Sequence, residues 1–134
     1  KLTKIQRFLA HFTFFALFFS GLVWLAFNFL LEPENSWRFL NLWSLKIHGF
    51  AAFVFLIFFG MILSTHISFN WRVKKNRRPS GIILTGIFCI LIFSGYLLYY
   101  CGSESIREFS SYSHWILGLF SCLFFVSHFS HRKK

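Results

Sequence analysis

The residues of this chain that are best suited to chemistry are its histidines, and two of them bracket one apolar run. The run SHWILGLFSCLFFVSH places His114 and His128 near its ends, with no charged side chain between them. Fourteen residues of α-helix rise about 21 Å and return to within about 40° of the starting face. Imidazoles at membrane depth are costly, which makes them functional candidates. The spacing therefore predicts two metal centres stacked across a bilayer.

The composition predicts an integral membrane protein. Of the 134 residues, 56% are apolar and 13% are charged, and the mean hydropathy is +0.59. Four stretches lack Lys, Arg, Asp and Glu and exceed the ~20 residues that span a bilayer core: Phe8–Leu31, Ile47–Trp71, Pro79–Ser103 and Phe109–His131. We therefore expect an all-α, up-down-up-down four-helix bundle. Residues 1–134 form one domain in this prediction, with helices at about 8–31, 44–71, 81–101 and 111–131.

The net charge of +10 is distributed unevenly along the chain. Eleven Lys and Arg residues and no acid lie at the two termini and in the 72–78 connection, whereas the other two connections hold three basic residues and all four acids. The positive-inside rule predicts a multi-pass protein of a prokaryotic cytoplasmic membrane, with both termini in the cytoplasm. We interpret the basic runs as contacts with membrane lipid rather than nucleic acid. Because the chain begins with Lys1 rather than Met, we expect processing or a missing start.

The remaining histidines supply candidate partners for the helix 4 pair. Up-down topology makes helices 2 and 4 parallel, so His48 and His114 lie at similar depth near the outer side. One imidazole from each of two helices suits bis-histidine ligation of a haem b, and His48–His114 is the predicted outer pair. On the inner side His128 is expected to pair with His11 or with His66, since helix tilt absorbs the small differences in their depth. Single interfacial histidines can instead snorkel or hydrogen-bond between helices.

Helix 3 carries no histidine, and the cysteines do not supply another metal site. Gly86 and Gly95 are interpreted as positions where a neighbouring helix or a cofactor approaches closely. The three cysteines form neither CxxC nor CxxCH, which argues against covalent haem attachment and thiolate zinc sites.

The histidine pattern resembles that of the four-helix di-haem cytochromes b, such as bacterial cytochrome b561 and the membrane cytochrome b subunits of formate dehydrogenase and nickel-iron hydrogenase. In that group helix 1 has Arg-x-x-x-His and then a small residue followed by Gly, helix 2 has an outer histidine, and helix 4 has two histidines fourteen apart. The matching residues here are Arg7, His11, Ser20, Gly21, His48, His114 and His128. The resemblance implies haem pairs His48–His114 and His11–His128.

His66 has no counterpart in that pattern. It resembles instead a less characterised family of small four-helix membrane proteins with paired histidines on helices 2 and 4, in which His66 would replace His11 as the fourth ligand. We favour His11.

The resemblance implies an electron relay across the bilayer, between an extracytoplasmic redox partner and the quinone pool of a respiratory chain. The chain would then be an electron-transfer subunit of a larger oxidoreductase complex rather than a complete enzyme. A quinone is a candidate further ligand near His66, Asn70 and Trp71. The alternatives are a non-redox structural subunit with four spans and a His-lined metal transporter. Transporters usually place polar groups at the bilayer midplane, which here is apolar.

Overall fold

The computed structural model describes residues 3–29, 38–64 and 78–130, and 96% of the described residues are helical. The helices are α1 (Lys4–Phe29), α2 (Arg38–Ile62), α3 (Arg78–Tyr100) and α4 (Glu104–Ser130). None of these three ranges contains a strand. The predicted all-α class is confirmed. His66, the proposed quinone residues Asn70 and Trp71, and most of the basic 72–78 connection lie outside the described residues.

All four helices are long and apolar enough to cross a membrane. Their candidate spans run over 22 to 26 residues, beyond the ~20 that a bilayer core requires. Only 11–22% of each span is buried inside the protein, so most of its apolar side chains are available to lipid. These helices identify a multi-pass membrane protein, as the charge-free stretches predict.

The helices begin earlier than the charge-free stretches. At the start of α1, Thr3 Oγ1 accepts a hydrogen bond from Gln6 N–H and Gln6 Oε1 accepts one from Thr3 N–H, which is a capping box. The helix therefore starts at Lys4 and not near residue 8. Likewise α2 starts at Arg38 rather than at residue 44.

The chain divides into two compact units, residues 1–73 and 74–134. In the first unit α1 packs against α2, and we call this pair the first hairpin. In the second unit α3 packs against α4, and this pair is the second hairpin. Only eight residues separate α1 from α2, and three separate α3 from α4. At about 3.5 Å per residue neither connection can span a helix of about 35 Å, so each hairpin is antiparallel.

Small hydroxyl residues lie in the interfaces of both hairpins. Thr13, Ser20 and Ser44 are buried in the first hairpin, and Ser94 and Ser121 are buried in the second. Each hydroxyl donates a hydrogen bond to a carbonyl one turn earlier in its own helix. Because the hydroxyl is satisfied locally and the side chain is small, the two helix backbones can approach closely, as is typical of membrane helix pairs.

Candidate functional site

In the first hairpin the imidazole of His48 lies against α1. Its Nδ1 is 3.1 Å from Ser20 Oγ and 3.0 Å from the Leu17 carbonyl oxygen. A Cβ placed on Gly21 would lie 3.3 Å from His48 Cε1, which is tighter than an ordinary van der Waals contact. The glycine therefore allows the ring to approach the backbone of α1, and the adjacent serine fixes it through Nδ1.

These contacts determine which nitrogen of His48 carries the proton. A carbonyl oxygen can only accept, so His48 Nδ1–H donates toward Leu17 O. Ser20 donates its own hydroxyl proton to the Ala16 carbonyl at 2.6 Å, and its Oγ is then an acceptor for His48 Nδ1–H. In the neutral ring the lone pair consequently resides on Nε2, the nitrogen that would coordinate a metal.

His114 occupies a matching position in the second hairpin. Its Nδ1 is 2.9 Å from Ser94 Oγ, and Ser94 donates to the Leu91 carbonyl oxygen at 3.2 Å. A Cβ on Gly95 would lie 3.3 Å from His114 Cε1. Of the two glycines that the sequence analysis named on helix 3, Gly95 therefore lies where another helix approaches closely, and the approaching group is the imidazole of His114. Gly86 has no described atom within 4 Å of its Cβ position.

His128 makes a third contact of the same kind. Its Nδ1 is 3.1 Å from Ser80 Oγ, and a Cβ on Gly81 would lie 3.8 Å from His128 Cε1. We call each serine with its following glycine a Ser–Gly pair; the three are Ser20–Gly21, Ser80–Gly81 and Ser94–Gly95. The two pairs of α3 are fourteen residues apart, as are the two histidines of α4. A single antiparallel register of α3 and α4 therefore places each histidine opposite a Ser–Gly pair, at two points about 21 Å apart along the helix.

His11 is held differently, by its own helix. Its Nδ1–H donates to the Arg7 carbonyl oxygen at 2.6 Å, which again leaves the lone pair on Nε2. Nine residues separate His11 from Ser20, a rotation of about 180° on α1. His11 therefore lies on the face opposite to the Ser–Gly pair. That face carries an open groove of about 450 Å³ lined by Phe8, His11, Phe12, Phe15, Ala16 and Phe19.

The histidines of α2 and α4 also occur at equivalent positions along their helices. His48 lies ten residues after Arg38, the first residue of α2, and His114 lies ten residues after Glu104, the first residue of α4. Each is thus about 15 Å along its helix. His128 lies two residues before the end of α4. His114, the predicted outer ligand of α4, therefore lies about one third of the way along the helix, and His128, the predicted inner ligand, lies in its last turn.

Each described histidine is a single imidazole donor and not part of a cluster of metal-binding side chains. Within the described ranges, no group of three or more His, Cys, Asp and Glu side chains converges to bind a metal. Haem b needs only one neutral imidazole on each side of the porphyrin. Ligating histidines normally hold their second ring nitrogen in a hydrogen bond, and His48, His114 and His128 each do so through Nδ1.

No protein-family model matches the chain, and neither a curated protein nor a solved structure matches it. The resemblance to the di-haem cytochromes b thus remains a prediction based on the histidine pattern.

Sequence reasoning named five candidate ligands, of which the structure describes four, but it missed the serine partners of His48, His114 and His128. Ser20–Gly21 was noted only as part of a family pattern, and Ser80 and Ser94 were not noted. The available signal was the spacing, because Ser–Gly recurs after fourteen residues on helix 3 and His recurs after fourteen on helix 4.

Proposed function

We propose that the chain is a b-type membrane cytochrome that binds two haem b groups and relays electrons across the bilayer. It would act as an electron-transfer subunit of a larger oxidoreductase complex. One observation carries the proposal: His114 and His128 lie on one face of α4, about 21 Å apart, and each is held at Nδ1 by a serine of α3. Two imidazoles that are hydrogen-bonded in the same way, and lie about 21 Å apart on one membrane-spanning helix, suit two stacked redox centres.

The state of the imidazoles supports ligation. Iron coordinates the deprotonated nitrogen of a neutral imidazole, and a hydrogen bond from the other nitrogen fixes the ring orientation and raises its basicity. Carbonyl acceptors assign the Nδ1 proton in His48 and in His11, so both rings present a lone pair at Nε2. Two of the four proposed ligands, His48 and His11, thus share one chemical form.

The proposed pairing assigns His48 and His114 to the outer haem and His128 to the inner haem. Equal positions along α2 and α4 support the outer pair. For the inner haem we favour His11, whose Nδ1–H is held by the Arg7 carbonyl oxygen, and His66 is the alternative. Because His11 lies on the face of α1 that is turned away from the Ser–Gly pair, this assignment requires that face to meet the inner haem.

Bound haem would supply reversible one-electron chemistry. The chain would supply the axial imidazoles and an apolar surrounding, because its helices expose aromatic and aliphatic side chains along most of their length. Such surroundings would limit the access of water to a bound haem and lower the local dielectric. The electron would pass between an extracytoplasmic partner subunit and a quinone in the membrane.

The proposed orientation places both termini and the 72–78 connection in the cytoplasm, in the cytoplasmic membrane of a prokaryote. The excess of Lys and Arg in those segments supports it. The outer haem would then lie near the extracytoplasmic side, where a redox partner can reach it, and the inner haem would lie near the cytoplasmic side.

The same contacts also support a second function, a structural subunit in which the histidines only join helices. Serine–imidazole hydrogen bonds between helices are a known means of membrane helix association. The visible spectrum of the purified protein separates the two functions. Reduction with dithionite should produce b-type haem bands in the wild type, and the triple variant with His48, His114 and His128 replaced by Ala should lack them. A wild-type protein purified from haem-replete cells without these bands would contradict the cytochrome and favour the structural subunit.

A further inference from the structure

We propose that the three Ser–Gly pairs are positioning sites, in which the serine accepts the Nδ1 proton of the facing histidine and so directs its Nε2 lone pair to a ligand. The purpose of this arrangement rests on the proposed function, but its geometry and its test do not. Serine and glycine are positioning residues here because they act through the imidazole and not on a cofactor.

The first support is the recurrence of the arrangement. In both hairpins the serine and glycine belong to the earlier helix and the histidine belongs to the later one. The Nδ1–Oγ distances are 3.1, 2.9 and 3.1 Å for His48, His114 and His128. Helix packing alone needs only small residues at such a crossing. It does not need the same serine atom beside the same ring nitrogen at three places.

The second support is the direction of the hydrogen bonds. Ser20 Oγ lies 2.6 Å from the Ala16 carbonyl oxygen, and Ser94 Oγ lies 3.2 Å from the Leu91 carbonyl oxygen. A serine within a helix normally donates to such a carbonyl. With the hydroxyl proton so placed, the serine lone pairs accept a hydrogen bond from the imidazole of the neighbouring helix. The serine thereby selects the Nδ1–H tautomer.

The third support is the role of the glycine. A Cβ at Gly21 or Gly95 would lie 3.3 Å from the imidazole Cε1, so an alanine there would push the ring away from the serine. At Gly81 the corresponding distance is 3.8 Å, an ordinary contact. The glycines facing His48 and His114 are thus required for close approach, whereas the pair facing His128 tolerates a methyl group.

The test uses the full-length protein in lipid nanodiscs, labelled with ¹⁵N-histidine and reduced with dithionite, so that any low-spin haem is diamagnetic. Ring ¹⁵N and N–H signals of His114 report which nitrogen is protonated and how strongly that proton is hydrogen-bonded. The variant is Ser94→Ala. The matched control is Ser113→Ala on α4, since Ser113 neighbours His114 but donates to the Phe109 carbonyl oxygen.

We expect His114 to carry its proton on Nδ1 in the wild type and in S113A. In S94A without haem, the ratio of the Nε2–H to the Nδ1–H tautomer should rise at least about fivefold, which corresponds to about 1 kcal/mol. In S94A with haem, the Nδ1–H signal should move toward that of a weaker hydrogen bond, and the midpoint potential of that haem should rise. Ser94→Thr, which keeps a hydroxyl, should restore the wild-type signals.

Two results would overturn the inference: spectra of S94A identical to those of the wild type, or a wild-type His114 protonated at Nε2 in haem-free protein. Should S94A fail to fold, Ser80→Ala is the second variant, because Ser80 is exposed at the start of α3 and the same changes are then expected at His128. A protein that binds no haem but shows these tautomers would contradict the proposed function and leave the positioning sites supported.

Discussion

Substitution of Gly95 by alanine tests the packing of His114 against α3. An ideal Cβ at this position lies 3.3 Å from His114 Cε1 and 3.8 Å from its Nδ1. Carbon atoms reach their optimal separation at about 3.5–4.0 Å, so the ring must retreat by about 0.2 Å or more. Such a movement lengthens the 2.9 Å bond between His114 Nδ1 and Ser94 Oγ. Gly95→Ala therefore both crowds the interface and weakens its hydrogen bond.

The expected cost follows from these two effects. Inserting a methyl group into a packed interface destabilises by about 1–3 kcal/mol. The matched control is Gly86→Ala on the same helix, where the added methyl meets no described atom within 4 Å. Alanine is a better helix former than glycine, so G86A should be neutral or stabilising by up to about 1 kcal/mol. We expect G95A to have a free energy of unfolding about 2 kcal/mol below that of G86A.

The assay is reversible unfolding of the purified protein in mixed micelles with increasing SDS, followed by circular dichroism. Wild type, G86A and G95A are compared under the same conditions, with Gly81→Ala as a third variant that adds a methyl at an ordinary contact distance of 3.8 Å from His128. G81A should resemble G86A more than G95A. Equal unfolding free energies for G95A and G86A would refute the proposed contact between the imidazole and Gly95.

Three further predictions concern the ligands and the orientation. His48→Ala and His114→Ala should each remove about half of the bound haem while the protein stays in the membrane, and full haem content in both by haemochrome assay would refute that pairing. His11→Ala should remove the inner low-spin haem and His66→Ala should only shift its potential; spectra showing the reverse would assign His66 as the ligand. A cysteine introduced in the 72–78 connection should resist labelling by an impermeant maleimide in intact cells, and efficient labelling there would reverse the orientation.

The membrane-spanning part of the fold could be predicted from the sequence. A charge-free stretch of sufficient length can cross the hydrocarbon core as a helix whatever helices pack beside it. The ends of the helices could not be predicted in this way. The α1 helix begins at Lys4 because Thr3 and Gln6 cap it, and α2 begins at Arg38 although its first turn is charged. Hydropathy detects the segment that lies in hydrocarbon, whereas hydrogen bonding defines where the helix starts.

The candidate site was predictable in part. Helical periodicity places His114 and His128 on one face of α4 without reference to any other element. Their serine partners depend on the register between α3 and α4, which is set by the three-residue connection and the interface packing. The placement of His11 and Ser20 on opposite faces of α1 follows from their spacing alone. The contact between Ser20 and His48 depends on the packing of α1 against α2, which the spacing does not predict.

The measurement that tests the central claim most directly is the number of haem groups bound by each chain. The protein is purified from haem-replete cells, its haem is quantified as the pyridine haemochrome, and its concentration is determined by amino-acid analysis. The account predicts two b-type haems per chain, both low-spin on reduction, since it assigns two axial imidazoles to each of two sites. A protein that is folded and fully helical but contains no haem, or only one, would contradict it.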